Sequence, residues 1–243
     1  MQALYQAGEG DLNKAEQTFQ KALHEAERFG ADDPRVGTTL NSMGLVYKSE
    51  KKFSDAENSF KRALGILDKA YGTDSIDVAN VNYNIAGALM DQGKFEAAVP
   101  FLQRSLGTYE RQFGSNSLKT ASVLCMLGDS YFAGKQFKEA EPLVKRCADI
   151  READGGVENA DLGDALNSLA LIYEKEGKYA VADPMFKLAE KIREKTQGIM
   201  SPGFADTLEA HARMLKQMGR DKEADRNLAL AAAIRRHNDK KTR

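Results

Sequence analysis

Five glycine residues recur along this 243-residue chain at an interval of 42 residues, and this periodicity constrains the fold more than any other feature. The five are Gly30, Gly72, Gly114, Gly156 and Gly198. Self-similarity at a period of about 20 to 50 residues is typical of a solenoid, in which each unit buries its apolar face against its neighbours. We therefore expect a stack of similar units.

Each repeat carries the pattern of two amphipathic helices. In the second helix of a repeat, a small residue such as Ala56 is followed by a large one, Phe60, and by a small one, Ala63. These spacings of four and seven residues place all three on one helical face. The first helix carries a small residue that allows close approach of its partner, at Gly44, Ala86, Gly128, Ala170 and Ala212.

Residues that favour helix ends stand at the same repeat positions. A residue that caps helix N-termini lies three positions after each periodic glycine, and these residues are Asp33, Ser75, Ser117, Asn159 and Ser201. Pro34 and Pro202 directly follow a cap, where a missing N–H costs little. The turns within repeats are predicted at Gly10, Lys51, Gly93, Lys135, Gly177 and Gly219.

Three further prolines, Pro100, Pro142 and Pro184, share one position near the start of second helices. We expect none of them to break a helix. The whole pattern predicts about eleven helices and no strand.

These residues resemble the tetratricopeptide repeat (TPR). Its signature is matched by Leu40, Met43, Gly44 and Tyr47, followed by Ala56 and Phe60. The 42-residue spacing and the segments at 166–179 and 140–152 resemble the kinesin-light-chain-like subclass, which is also abundant in bacteria. The resemblance implies an all-α fold, a right-handed α-solenoid of about six helix-turn-helix repeats.

The predicted solenoid occupies residues 1–243. Its units are approximately 1–30 (partial), 33–72, 75–114, 117–156, 159–198 and 201–236, followed by a charged tail at 237–243. Few residues precede Gly10, so the first helix is expected to be short, which leaves open that the chain is a piece of a longer protein. The tail is expected to be a frayed, solvated end.

Charge and composition favour protein partners. The 35 basic and 36 acidic residues are mixed along the chain and give a net charge of −1, which argues against nonspecific binding to nucleic acid or an anionic membrane. The N-terminus lacks the apolar core of a signal peptide. We expect a cytoplasmic protein, with the qualification that a targeting segment would escape notice if it preceded Met1.

The two cysteines are too few for a disulfide framework, which fits a reducing compartment. Cys147 occupies a repeat position filled mostly by alanine, so it is expected to be buried. Cys125 falls on the predicted groove face and is the more exposed thiol. Because the two belong to different faces, an internal disulfide is not expected.

The resemblance implies that the first helices line a concave groove, and helical spacing then selects the residues facing it. The candidate partner-binding residues are Asn41, Lys48, Asn80, Tyr83, Asn84, Met90, Cys125, Asp129, Phe132, Asn167, Glu174 and Arg213. Asn41 and Asn167 match an asparagine of the kinesin-light-chain-like pattern, and a carboxamide can donate to and accept from a peptide backbone. The alternative is that each bonds to the neighbouring repeat.

Two other features of this face bear on what it could bind. Met90 and Phe132 beside Tyr83 and Gly87 predict an apolar hollow that seats an anchor residue, or else they pack between adjacent first helices. The charged residues of the last unit, including Asp206 and Glu209, are predicted to be a solvated face.

No catalytic residue can be named. The three histidines, His24, His211 and His237, lie in different units and are predicted to be surface or helix-packing residues. Nucleotide-binding and metal-binding motifs are absent from the sequence. We therefore predict a chain that is not an enzyme and that uses no cofactor or metal.

The leading hypothesis is a monomeric scaffold or adaptor that binds a peptide or partner segment in its groove. A second is a self-assembly module, because Leu188 and Leu230 replace the basic residues found at the same position in other units. A third is a ligand-sensing regulatory domain of a larger protein.

Overall fold

The computed structural model of this chain describes residues 9–155 and 159–241, and within these ranges it contains eleven α-helices and no strand. The prediction of an all-α fold with about eleven helices is confirmed. The helices are α1 (Glu9–Glu27), α2 (Pro34–Ser49), α3 (Phe53–Tyr71), α4 (Ile76–Asp91), α5 (Phe95–Phe113), α6 (Leu118–Ala133), α7 (Phe137–Gly155), α8 (Ala160–Lys175), α9 (Tyr179–Gln197), α10 (Pro202–Gln217) and α11 (Asp221–Lys241).

All five predicted N-caps are confirmed. The side-chain oxygen of each capping residue accepts a hydrogen bond from a backbone N–H in the first turn of α2, α4, α6, α8 or α10. Asp33 also binds the Arg35 guanidinium, and the hydrogen bond from this side chain holds the Asp33 pKa down at about 2. Pro34 and Pro202 each occupy the first helical position. Capping therefore fixes where each of the five first helices, α2, α4, α6, α8 and α10, begins.

The turns within repeats follow the prediction with one exception. Gly93, Gly177 and Gly219 adopt φ angles of 71° to 73°, and Lys51 and Lys135 adopt 59° and 60° in the same turn. Gly10 is the exception, because it lies inside α1. A glycine near a helix N-terminus costs the helix little and does not force a turn. The predicted short first helix before Gly10 lies outside the described residues.

The three internal prolines are part of continuous helices. Pro100, Pro142 and Pro184 lie inside α5, α7 and α9, and each helix continues past its proline. The predicted tail at 237–243 also differs from expectation. Helix α11 extends to Lys241, so residues 237–241 of the predicted tail belong to this helix.

Paired helices approach each other closely at the small residues. Ala56, Phe60 and Ala63 of α3 are fully buried, and a methyl group added at Gly44 of α2 would lie 2.5 Å from the Phe60 ring. Gly128 of α6 meets the side chain of Val144 in the same way. The small residue is therefore required for the antiparallel pairing within a repeat.

The chain forms two compact units, residues Met1–Ser115 and Asn116–Arg243, which we call unit 1 and unit 2. Unit 1 contains α1 to α5 and unit 2 contains α6 to α11. Their boundary falls between the predicted repeats 75–114 and 117–156. The eleven described helices correspond to about six helix-turn-helix repeats, as predicted, whereas the bounds given above for the single units stay a prediction.

Cys125 and Cys147 form a disulfide between α6 and α7, with their Cα atoms 5.6 Å apart, so the prediction that they would not pair is wrong. Gly128 on α6 faces Val144 on α7. Because the two helices are antiparallel, one turn back along α6 and one turn forward along α7 leads to Cys125 and Cys147. Cys125 is half-buried, and its side chain is directed at α7 by the bond to Cys147.

We predict that Lys135→Gly raises the free energy of unfolding by about 0.5 to 1 kcal/mol, because a left-handed backbone conformation strains a side chain with a Cβ. Urea unfolding followed by circular dichroism measures the change. Lys145→Gly is the matched control, since Lys145 is exposed within α7, where glycine should cost about 1 kcal/mol. Destabilisation by both substitutions would contradict the prediction.

We predict that reduction of the disulfide lowers the free energy of unfolding by about 3 kcal/mol, because the bond closes a loop with a sequence separation of 22 residues. Urea unfolding with and without a thiol reductant measures the loss. A Cys125→Ala, Cys147→Ala double variant should be insensitive to the reductant. Identical curves for the oxidised and reduced wild type would contradict the prediction.

Candidate functional site

Successive first helices approach each other within each unit. In unit 1, α2 lies against α4, and in unit 2, α6 lies against α8 and α8 against α10. All twelve candidate residues belong to these five helices. We call the surface that they share in each unit its first-helix face.

In unit 1 the polar candidates of α2 are already bonded to residues of α4, in the adjacent repeat. The Asn84 Nδ2 donates to the Asn41 Oδ1 at 2.9 Å, and the Lys48 ammonium lies 3.4 Å from the Asp91 carboxylate. For Asn41, the structure therefore supports the alternative interpretation, in which its carboxamide is bonded to the neighbouring repeat. A ligand that used these groups would have to replace existing hydrogen bonds.

Asn80 and Tyr83 are held by a residue of a second helix. The hydroxyl of Tyr109, on α5, donates to the Asn80 Oδ1 at 2.6 Å, and the Tyr109 ring stacks on Tyr83 with centroids 6.1 Å apart. Burial raises the pKa of Tyr109 to about 12, with a smaller contribution from Tyr83. This side chain therefore stays protonated and fixes the middle of the first-helix face of unit 1.

The residues equivalent to Tyr109 in later repeats were missed as candidates. They are the periodic arginines Arg151, Arg193 and Arg235, spaced by 42 residues. Arg193 is buried and binds the Asp164 carboxylate at 2.7 Å on α8 and the Thr207 hydroxyl at 2.6 Å on α10. Their spacing in the sequence is the signal that could have identified them.

The charged side chains of α10 are only partly solvated, because some of them are paired with a second helix. Arg235 of α11 pairs with Asp206 and lies 3.3 Å from Glu209 on α10. Arg213, the candidate of this helix, is exposed. The charges of the first-helix face are therefore set in part by side chains from the second helices.

Helix α8 carries two buried side-chain oxygens that accept no hydrogen bond from any described residue. Glu174 is 4% exposed, and its Oε2 atom has no hydrogen-bond partner among the described residues. Its other oxygen lies 3.5 Å from the Lys175 ammonium. The Oδ1 of Asn167 is also buried and has no described partner. Asn167 differs in this respect from Asn41, which occupies the same repeat position in unit 1 and accepts a hydrogen bond from Asn84.

The pKa of Asp129, on α6, is raised above the ordinary value of an aspartate. Burial raises its pKa to about 6, and the nearby Asp164 carboxylate adds to this effect. A hydrogen bond with Ser168 and the charge of Arg151 oppose the shift. The carboxyl therefore changes its charge near pH 6, on the same face as Asn167.

The apolar candidates pack within their own units. Phe132 is partly buried against the apolar core of unit 2, and its ring centroid lies 5.6 Å from that of Phe137 on α7. Met90 is half-buried in unit 1, so the hollow that would combine it with Phe132 stays a prediction. Leu188 and Leu230 are half-buried as well, and Leu230 packs against the α10–α11 core, which weakens the argument for self-assembly.

Among the histidines, His24 and His237 are exposed and His211 is a packing residue. His211 is 2% exposed, stacks on Phe186, and binds Glu190 at 2.7 Å and Asp183 at 2.9 Å. Burial alone would lower the pKa of His211, but the hydrogen bonds to the two carboxylates raise it. The His211 ring therefore joins α9 to α10 in the core through these two carboxylates.

The described residues offer neither a metal site nor a helix that could span a membrane. No group of three or more histidine, cysteine, aspartate or glutamate side chains there could hold a metal ion. No described helix is long and apolar enough to cross a membrane.

The helix pairs, their caps and their close-packing residues define an α-helical repeat fold. The family model of the tetratricopeptide repeat matches residues 3–69 and 77–153, more than half of the chain, and a second model of this repeat matches residues 163–196. The chain belongs to the tetratricopeptide repeat family.

Solved structures with a similar fold agree with this assignment, and some of them are described as kinesin light chain repeats. BtubC (BKLC) from P. vanneervenii has a TM-score of 0.75 at 20% identity, covering 94% of this chain and 92% of that one. The putative kinesin light chain repeats of Podosopora anserina have a TM-score of 0.70 at 19% identity, covering 84% and 96%. YrrB, described as a TPR protein with an unusual peptide-binding site, has a TM-score of 0.58 at 17% identity, covering 88% and 92%.

One curated relative shares a short segment. The clustered mitochondria protein homolog of Emericella nidulans is 31% identical over 65 residues, which are 26% of this chain and 5% of that protein. The chain thus spans a small fraction of this relative.

We predict that Asp129→Asn raises the free energy of unfolding by about 2 kcal/mol at pH 7.5 and much less at pH 4.5. The folded pKa of about 6 exceeds the ordinary value of an aspartate, so stability falls as pH rises from about 4 to 6 and stays reduced above that. Urea unfolding at both pH values tests this. Asp149→Asn, at an exposed position of α7, is the control, and an equal effect of Asp129→Asn at both pH values would contradict the prediction.

Proposed function

We propose that this chain is a non-enzymatic scaffold that binds an extended peptide or a partner segment on its first-helix face. The observation that carries the proposal is the pair of buried oxygens on α8, the Asn167 Oδ1 and the Glu174 Oε2, which lack donors among the described residues. A buried acceptor without a donor costs about 1 to 3 kcal/mol, and more when it is charged. A bound segment that supplied donors would recover this free energy.

The chemistry of these groups indicates what the partner offers. Asn167 accepts a hydrogen bond from a backbone N–H as readily as from a side chain. The Glu174 carboxylate favours a lysine or arginine side chain, which forms a charge-assisted hydrogen bond. Both oxygens are closed off from solvent, so binding requires their side chains to change rotamer. We therefore expect the partner segment to be basic where it meets unit 2.

Unit 1 serves as an internal comparison. Asn41 occupies the repeat position of Asn167, but its oxygen already accepts from Asn84. A ligand that bonds to Asn41 gains less binding free energy, because the Asn84–Asn41 hydrogen bond must first be broken. We expect unit 2 to dominate the affinity.

The neighbouring folds are consistent with this proposal. YrrB is described as having a peptide-binding site, and a Rap protein with a TM-score of 0.57 at 21% identity is described in complex with the competence and sporulation factor. For this chain, a monomeric state and the lack of nucleic-acid or membrane binding stay predictions. The predicted cytoplasmic location is also untested, and the Cys125–Cys147 disulfide is more typical of an oxidising compartment.

The test is a selection of peptides from a random display library on the wild-type chain, followed by fluorescence anisotropy with the selected peptides. We predict that an Asn167→Ala, Glu174→Gln double variant binds them at least tenfold more weakly, since it loses one neutral and one charged hydrogen bond. Affinity for the wild type should also fall with added salt.

Asn41→Ala is the matched control and should change the affinity by less than about threefold. Circular dichroism and urea unfolding verify that each variant is folded. Equal affinity of the double variant and the wild type would contradict the assignment to unit 2. A library that yields no saturable binder would contradict the scaffold proposal as a whole.

A further inference from the structure

A cleft of about 450 Å³ lies in unit 1 between α3, α4 and α5, away from the candidate residues of the first-helix face. Leu64 and Asp68 of α3, Val78 and Asn82 of α4 and Arg104 of α5 line it, together with the turn at Thr73 and Asp74. Its volume is in the range of small-molecule sites. The cleft combines apolar walls with a few polar groups.

Asn82 is an exception in the repeat pattern. The other described repeats carry leucine at this position, as Leu40, Leu124, Leu166 and Leu208. Asn82 is nevertheless 3% exposed, and its Oδ1 atom has no hydrogen-bond partner among the described residues. A leucine would fill the site without leaving a polar group unpaired, so the carboxamide lowers the stability of the free chain.

Asp68 presents a second acceptor of this kind. Its Oδ1 atom is buried and also lacks a described partner. Asp68 and Asn82 both line the cleft, and each holds a buried oxygen without a described donor. A ligand that brings several N–H groups would complement these oxygens once the side chains turn towards it. A primary ammonium group has three donors and a positive charge that complements Asp68.

Arg104 adds the opposite charge at the same cleft. It is exposed and makes no ion pair among the described residues, whereas Asp74, another charged residue at the cleft, is bound by Arg111 at 2.7 Å. A guanidinium binds a carboxylate in a bidentate geometry. The cleft therefore offers acceptors for an ammonium group and a donor fork for a carboxylate.

We propose that this cleft binds a small zwitterion of the α-amino-acid class, with its ammonium group at Asp68 and Asn82 and its carboxylate at Arg104. Rotation about the terminal side-chain torsion of Asn82 turns its oxygen towards the cleft, and such torsions have broad preferences. Leu64 and Val78 supply the surface for an apolar side chain. This site is separate from the proposed peptide-binding face, and neither depends on the other.

The test titrates the full chain with each of the twenty free L-amino acids, followed by thermal unfolding and isothermal titration calorimetry. We expect at least one of them to raise Tm. Its N-acetylated and its decarboxylated forms should each bind at least tenfold more weakly. Binding of the decarboxylated amine alone, or no response to any amino acid, would overturn the proposal.

Variants separate the ligand site from a purely structural role. Asn82→Leu should abolish binding yet raise Tm of the free chain by about 2 to 4 °C, because it removes a buried unpaired group. Leu124→Asn is the reciprocal control in unit 2 and should lower Tm. A fall in Tm on Asn82→Leu would show that the carboxamide is already satisfied within the fold, and would overturn the premise.

Arg104 provides a variant that does not touch the core. Arg104→Gln should weaken binding of the amino acid at least tenfold without changing Tm of the free chain. Arg62→Gln is the matched control, since Arg62 occupies the same repeat position in the preceding repeat and pairs with Glu27. Equal affinities of the Arg104→Gln variant and the wild type would overturn the assignment of the carboxylate.

Discussion

The close approach of paired helices at one small residue is the contact on which the rest of the fold depends. At Gly44 the Phe60 ring occupies the space that any side chain would need, and at Gly128 the Val144 side chain does so. This contact sets the distance and the register within a pair. The register then decides which residues of a first helix face its partner, as the pairing of Cys125 with Cys147 shows.

Features that depend on the local backbone could be predicted from the sequence. The caps at Asp33, Ser75, Ser117, Asn159 and Ser201 satisfy N–H groups only two or three residues away, so their pattern is sufficient to locate them. The turns at Lys51 and Lys135 were found because the repeat supplies glycine at the same position elsewhere. The prediction of a turn at Gly10 was wrong because this residue lies in the first turn of α1, where a glycine does not force the chain to turn.

Features that depend on contacts between helices were harder to predict. Asn41 and Asn167 are equivalent in the repeat, but Asn84 binds the first and no described donor reaches the second. A sequence pattern assigns both to the same face without showing which one is already bonded. The disulfide was missed because helical spacing was applied to each helix separately. Pairing the positions of α6 and α7 around Gly128 would have placed the two cysteines opposite each other.

The arginines on second helices also bear on how this surface can change during evolution. Arg193 reaches past its own helix to neutralise Asp164 and to join α8 to α10, and Arg235 does the same for the acidic residues of α10. A single substitution at either arginine, which lies on a second helix, would leave the acidic residues of a first helix without their positive partner. The charge of the first-helix face can therefore change through substitutions on second helices, and comparison of first-helix residues alone would miss the cause.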